Sequence, residues 1–149
     1  MVVIDPNWIL LDTCSTDSVF CDERFLSKIV KCDDDEVLQI ISNVGMVTYE
    51  EKGVFNLLDI PVNHNADSIA NVLSFTQVAS LPGIYITTDT AVERAMVVHV
   101  NGRSLKFSEC DQGLYYLDLS EYKLNDSINK YSISSSFRNV NLLQSINEN

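Results

Sequence analysis

The chain has 149 residues, of which 46% are hydrophobic and 21% charged, so it is long enough for one domain with a buried core. Its formal net charge of -11 at pH 7 disfavours direct binding to nucleic acid or to an anionic membrane surface, because like charges repel. No apolar run approaches the roughly 18 residues that a membrane span needs. We therefore expect no nucleic-acid or membrane partner, and, because no secretion signal is visible, an intracellular location.

Short apolar segments separated by turn residues predict a mainly β fold. Eight strands are predicted, at 8–11, 37–41, 46–49, 54–60, 83–88, 95–100, 104–107 and 113–119. Residues 22–31 and 67–80 have the spacing of short amphipathic helices instead. Eight strands and two short helices indicate a barrel or a sandwich.

The composition changes at Ser120, after which the chain is rich in Asn and Ser and has no strong period. Such a segment buries too little apolar surface to form a core of its own. We therefore predict a folded domain over residues 1–119 and a polar linker or tail over 120–149, with one short helix near 139–146.

The cysteines and histidines do not follow a metal-binding pattern. The four cysteines are expected to be free thiols in a reducing compartment, and they are Cys14, Cys21, Cys32 and Cys110. Their spacing, with His64 and His99, fits no zinc knuckle or finger. The acidic run 33–36 lacks the spacing of a calcium loop and is predicted to be solvated. We expect no metal and no other cofactor. A thiol site at Cys14 would need one of the histidines to approach it through the fold.

Asp12 ends the apolar run "WILL" and is followed by small hydroxyl and thiol residues. An aspartate at this position is usually a turn former, because its side chain can bond the backbone two residues on. The pattern also suits a carboxylate that meets a copy of itself across a two-fold axis. Two such carboxylates share their protons, so one acts as a base and the other as an acid on the water that attacks a peptide carbonyl. With one such Asp in each chain, the pair requires a dimer, in which the Thr13 hydroxyl would tie the two loops together.

The segment "WILLDTCST" resembles the active-site segment of retropepsin-like aspartic proteases, specifically those of copia-type retrotransposon polyproteins. In that family the pattern is W-x-hydrophobic-D-[ST]-G-[AS]-[ST]. Four residues match it, namely Asp12, Thr13, Ser15 and Thr16. Cys14 stands where the family has glycine, which permits a tight turn.

Further matches follow in the expected order, so the resemblance covers residues 7–119. Residues 37–60 resemble the strand, flap hairpin and return strand, with Asn43, Val44 and Gly45 at the flap tip. The segment "SIANVLSFTQVA" resembles the family's N-L-L-S-V-x-Q-L segment, and the matching residues are Asn71, Leu73, Ser74 and Gln77. "GLYYLDL" resembles the end of the protease region.

The resemblance implies a mainly β, retropepsin-like closed barrel with one or two short helices. It also implies an aspartic endopeptidase that cuts its polyprotein as a homodimer, in the cytoplasm or in virus-like particles, without a cofactor. Asp12 and Thr13 would be the catalytic residues of each subunit. The residues expected to contact an extended peptide or polyprotein substrate are Cys14, Ser15, Asn43, Val44 and Gly45.

The alternative is a catalytically silent relative whose retropepsin fold serves as a dimerisation or peptide-binding module. Cys14 favours this alternative, because a Cβ costs on the order of 1 kcal/mol if the backbone there is left-handed. The retained Asp12 and Thr13 favour the enzyme.

Overall fold

A computed structural model describes residues 3–121 with their side chains, and the backbone alone of 123–125, 130–132 and 140–141. Within these residues the chain is mainly β, as predicted. In chain order the strands are β1 Trp8–Asp12, β2 Val19–Phe20, β3 Leu26–Lys31, β4 Leu38–Ser42, β5 Gly45–Tyr49, β6 Glu51–Phe55, β7 Ile60–His64, β8 Asn71–Ser74, β9 Ile84–Asp89, β10 Ala95–Val100, β11 Arg103–Glu109, β12 Tyr115–Asp118, β13 Lys123–Asn125, β14 Lys130–Ser132 and β15 Val140–Asn141. One α-helix, α1, spans Phe75–Ala79, and 3-10 turns span Glu23–Phe25 and Asp34–Glu36. No helix among the described residues is long and apolar enough to cross a membrane.

The main sheet has β1 in its interior. Its strand order is β3-β6-β7-β2-β8-β1-β12-β11-β10-β9, and β15 also pairs with β11. β1 runs parallel to β8, which places Asp12 opposite Ser74, and antiparallel to β12. The segment that ends in Asp12 is therefore held by two strands that lie far from it in the sequence.

The predicted closed barrel is wrong for the described residues. The path of paired strands has two ends, at β3 and β9, and the β4–β5 hairpin forms a separate two-stranded sheet. Closure depends on strand tilt and register, which a count of short apolar runs does not reveal.

The predicted helix over 22–31 is also wrong. A single 3-10 turn is followed by β3, which pairs with β6 and contains a register shift between Ser27 and Val30, with Lys28 at a positive φ of 52°. A bulge of this kind changes which face a residue takes, so the apolar residues lose their period of two. The resulting spacing imitates a helix.

The second predicted helix, over 67–80, is correct only for its last part. Residues 67–70 lie in a turn, and Asn71–Ser74 form β8 because they pair with β1. The helix starts after Ser74, whose side chain accepts a hydrogen bond from the Gln77 backbone N–H. The strand predicted over 54–60 is likewise two strands, β6 and β7, joined by a turn with Asp59 at a positive φ.

The C-terminal predictions are tested only in small part. Most of the helix predicted near 139–146 lies outside the described residues, but Val140–Asn141 within it form β15. The division into a domain over 1–119 and a tail over 120–149 stays a prediction.

The alternation of β1 directs Asp12 away from the core. Ile9 and Leu11 are buried in the hydrophobic core, together with Phe20 from β2 and Leu73 from β8. Residues two apart in a strand share a face, so Asp12 lies on the opposite face with Leu10. On that face Trp8 also stacks on Tyr116, with ring centroids 4.0 Å apart.

Gly53 in β6 lies close to the bulge in β3. A Cβ at Gly53 would be 3.2 Å from the Ser27 carbonyl oxygen and 3.2 Å from Cγ1 of Ile29. We expect Gly53→Ala to lower the free energy of unfolding by about 1–3 kcal/mol, because the added methyl group overpacks this contact. Urea denaturation measures the change, and an unaltered midpoint would show that the bulge shifts to accommodate the methyl group without loss of stability.

Candidate active site

The carboxylate of Asp12 is oriented by the loop that follows β1. Its Oδ1 accepts a hydrogen bond from the Cys14 backbone N–H at 2.8 Å, and its Oδ2 accepts one from Ser15 Oγ at 2.6 Å. The turn-forming role expected of an aspartate is therefore present. Asp12 nevertheless stays partly exposed, so both roles considered for it are compatible with its position.

A cavity of about 220 Å³ adjoins Asp12 and Thr13. Its walls come mainly from side chains of β1, β8, β10, β12 and the residue before β12, namely Leu10, Leu11, Val72, Met96, Leu114 and Tyr115. A mostly apolar cavity with a few polar groups is the usual form of a ligand site. An apolar side chain of a bound peptide would fit beside the carboxylate.

Thr13 and Cys14 are both exposed. The Thr13 hydroxyl lies 3.9 Å from the Cys14 sulfur, within the range of a weak hydrogen bond. The exposed hydroxyl is thus placed where a neighbouring molecule can reach it.

Cys14 adopts ordinary backbone geometry. The non-glycine residues with positive φ in the described part of the chain are Lys28, Asp59, Arg94 and Asn101. Cys14 is not one of them, so its Cβ carries no left-handed strain. Its amide still reaches Asp12, so the departure from glycine leaves the turn intact.

We expect that replacing Cys14 by the family's glycine, in Cys14→Gly, increases neither the stability nor the cleavage rate appreciably. The glycine should lower the free energy of unfolding by about 0.4–1 kcal/mol, because it adds freedom to the unfolded chain. Any rate of peptide cleavage should change by less than about fivefold, since the Asp12 geometry needs no glycine here. Thermal unfolding and a cleavage assay measure the two effects, and a rate increase of a hundredfold would mean that Cys14 blocks the site.

The hairpin β4–β5 projects from the main sheet as a separate pair of strands. Its tip is Asn43–Val44, followed by Gly45 at φ 133°, and Val44 is 98% exposed. Ile41, which pairs with Met46, is 80% exposed. Two strands alone are marginally stable, and exposed apolar residues on them are typical of a surface that covers a partner or ligand.

The base of this hairpin is fixed to the segment after β7. The Asn65 side chain donates to the Thr48 carbonyl at 2.9 Å, and Ser68 Oγ donates to the Tyr49 hydroxyl at 2.7 Å. Anchors at the base and exposure at the tip leave the tip freer to move than the base.

Asn71 of β8 joins the two ends of the segment that contains Asp12. It is fully buried, and its Oδ1 accepts hydrogen bonds from the backbone N–H groups of Cys21 and Asp22, both at 3.0 Å. Its Nδ2 donates to the carbonyls of Pro6 and Trp8, at 3.1 and 3.3 Å. One side chain thus ties the start of β1 to the end of β2.

A second polar network lies under the Asp12 loop. Gln77 Oε1 accepts hydrogen bonds from the N–H and the hydroxyl of Ser18, at 2.9 and 2.7 Å. Ser18 Oγ accepts from the Ser74 N–H at 2.9 Å, and Ser74 Oγ donates to the Ser15 carbonyl at 2.8 Å. The family resemblance singles out Ser74 and Gln77 without giving them a role, and it does not indicate Ser18.

The remaining cysteines and histidines have other surroundings. Burial raises the pKa of the Cys21 thiol, and the neighbouring Asp22 adds to this, so the thiol stays protonated. His64 Nδ1 lies 2.9 Å from Glu51, and the ring nitrogens of His99 lie near Thr87 and Ser104. In the described part of the chain, neither histidine is hydrogen-bonded to Cys14.

Some acidic side chains of the described residues form ion pairs with nearby basic groups. Burial alone would raise the pKa of Asp22, but hydrogen bonds from the Arg24 side chain and backbone outweigh it and lower the pKa below its usual value. This pair is therefore retained at mildly acidic pH. Glu36 pairs with Lys52 at the surface.

Across the described residues, no three His, Cys, Asp or Glu side chains are grouped so that they could hold a metal ion.

Comparisons of the chain with protein-family models, with curated proteins and with solved structures find no match. The function therefore has to be argued from the site.

Proposed function

We propose that this protein is an aspartic endopeptidase of a retrotransposon polyprotein, active as a homodimer of retropepsin-like subunits. The observation that carries the proposal is the Asp12 carboxylate, which ends an interior strand and is oriented by the Cys14 amide and the Ser15 hydroxyl. Each chain supplies one such carboxylate, and the acid–base pair requires a second copy. Thr13, exposed beside Asp12, would tie the two loops together across the dimer axis.

The chemistry needs one ionised and one protonated Asp12. The ionised carboxylate takes a proton from a water molecule, whose oxygen attacks the carbonyl carbon of the peptide bond. The protonated carboxyl gives its proton to the carbonyl oxygen, and the resulting diol collapses as the amine leaves with a proton. Two fixed hydrogen bonds on each carboxylate keep the pair close to the reactive geometry, which such reactions require.

The surroundings of Asp12 favour an extended peptide as substrate. The apolar cavity beside Asp12 and Thr13 would take an apolar side chain. The hairpin tip with Val44 and Gly45 would close over the peptide backbone, and its exposed apolar side chains would then be covered. This mechanism requires neither a metal nor an organic cofactor.

A cleavage assay on the whole chain tests the proposal. The purified protein is incubated with unfolded casein at mildly acidic pH, with and without a pepstatin-type inhibitor, and sedimentation equilibrium measures its oligomeric state. Inhibitor-sensitive cleavage by a dimer is the expected result. A dimer without turnover would favour the silent binding module, and a monomer that cleaves casein would exclude the shared pair.

A further inference from the structure

The polar network under the Asp12 loop has a fixed direction. The Ser18 N–H can only donate, so it requires the carbonyl oxygen of Gln77 and not its amide nitrogen. The Ser18 hydroxyl donates its single proton to the same oxygen, so Ser18 Oγ acts as the acceptor for the Ser74 N–H. The position of one oxygen atom in α1 therefore sets the bonding of two serines.

The network continues from these serines to the carboxylate. Ser74 Oγ donates to the Ser15 carbonyl, and Ser15 Oγ donates to Asp12 Oδ2 at 2.6 Å. Ser18 and Ser74 are 1% and 0% exposed, so water does not readily replace a missing partner. A displacement at Gln77 would consequently pass along the loop to the oxygen of Asp12.

We propose that Gln77 is a positioning residue for the catalytic carboxylate, which it holds through Ser18, Ser74 and Ser15; this rests on the proposed protease function. Gln77 touches neither the substrate cavity nor Asp12. Its side-chain oxygen instead holds the far end of the loop, so the Ser15 hydroxyl meets Asp12 at a constant distance and angle. A helix-capping role alone does not account for it, since the cap of α1 is the Ser74 side chain and the Gln77 backbone N–H.

Two substitutions separate the oxygen from the bulk of the side chain. Gln77→Met keeps the length but removes the acceptor, and we expect kcat for casein to fall about 10- to 100-fold with KM within about twofold of wild type. Gln77→Glu keeps an acceptor for both Ser18 bonds and should restore kcat to within about fivefold of wild type.

A matched control distinguishes positioning from a general loss of stability. Val98→Ala removes volume from the core in β10, where Val98 is 0% exposed, at a site outside the loop and the cavity. It should lower the melting temperature at least as much as Gln77→Met while leaving kcat unchanged well below the transition. Hydrogen exchange adds a readout independent of activity, and Gln77→Met should speed the exchange of the Ser18 amide selectively.

The outcomes are distinguishable. If wild-type protein cleaves casein and Gln77→Met retains its kcat and its slow Ser18 exchange, the inference is wrong and the protease proposal stands. Equal loss of kcat in Gln77→Met and Val98→Ala would also overturn it. A wild-type dimer without turnover would overturn both proposals. Loss of kcat in Gln77→Met with rescue in Gln77→Glu supports the positioning role.

Discussion

Asp12→Asn is expected to lower the rate of peptide cleavage by about 10²- to 10⁴-fold, the range typical for loss of a general acid or base. Asparagine keeps the size of the side chain, and its carbonyl oxygen can still accept one of the two bonds from Cys14 and Ser15. The fold and the proposed dimer should therefore persist, while the group proposed to take a proton from water is lost. Casein cleavage at mildly acidic pH measures the rate, and circular dichroism monitors the fold.

Asp17→Asn in the same loop is the matched control. Asp17 is also half-buried and accepts a hydrogen bond from the Thr16 hydroxyl at 2.8 Å, but it does not line the cavity beside Asp12. Its substitution should change the cleavage rate by less than about fivefold. Equal losses in the two variants would mean that charge in the loop matters and that Asp12 has no special role. Full activity in Asp12→Asn would refute the proposed mechanism.

Among the substitutions proposed for this protein, Asn71→Ala should lower the free energy of unfolding the most. The substitution leaves the partly buried N–H groups of Cys21 and Asp22 without their acceptor and two carbonyls without their donor, beside a fully buried site. Each unsatisfied buried group costs about 1–3 kcal/mol, so we expect the free energy of unfolding to drop by about 3–5 kcal/mol. Domains of this kind are stable by only about 5–15 kcal/mol, and part of the protein should unfold at physiological temperature.

Urea denaturation of Asn71→Ala and Asn63→Ala provides the comparison. Asn63 lies in β7 at intermediate exposure, and its backbone N–H donates to the Ser18 carbonyl, which alanine preserves. Asn63→Ala should lower the free energy of unfolding by less than about 1 kcal/mol. If both variants unfold at the same urea concentration, the side-chain hydrogen bonds of Asn71 contribute little to stability.

The strands that the sequence predicts well are those with continuous β-branched or aromatic runs. "AMVVHV" coincides with β10, "WILL" covers all but the last residue of β1, and "GLYYLDL" contains the shorter β12, because such residues pack on a pleated surface in most contexts. Strands that are short or polar lack such runs and are not predicted by them. β2 has two residues, and β7 contains Pro61, Asn63 and His64, so their pairing depends on neighbours that the local pattern does not reveal.

The candidate site is likewise predictable from the sequence only in part. Asp12 is recognisable from its position after an apolar run, and the family resemblance predicts the hairpin tip at 43–45. The contacts of Ser15 and Ser18 with Ser74 and Gln77 are not predictable, because they exist only after β1 and β8 pair in parallel. A resemblance to a family motif singled out Ser74 and Gln77 but could not say what their side chains bind.

The interior position of β1 has a consequence for biosynthesis. Both neighbours of β1 emerge late, since β8 begins at Asn71 and β12 ends at Asp118. A nascent chain that stops short of residue 118 leaves one side of β1 without hydrogen-bonded backbone, and contacts of such long sequence separation form slowly. The strand that ends in Asp12 thus leaves the ribosome before both of its partner strands and can pair fully only after β12 has followed it, which delays any activity until translation of the sheet is complete.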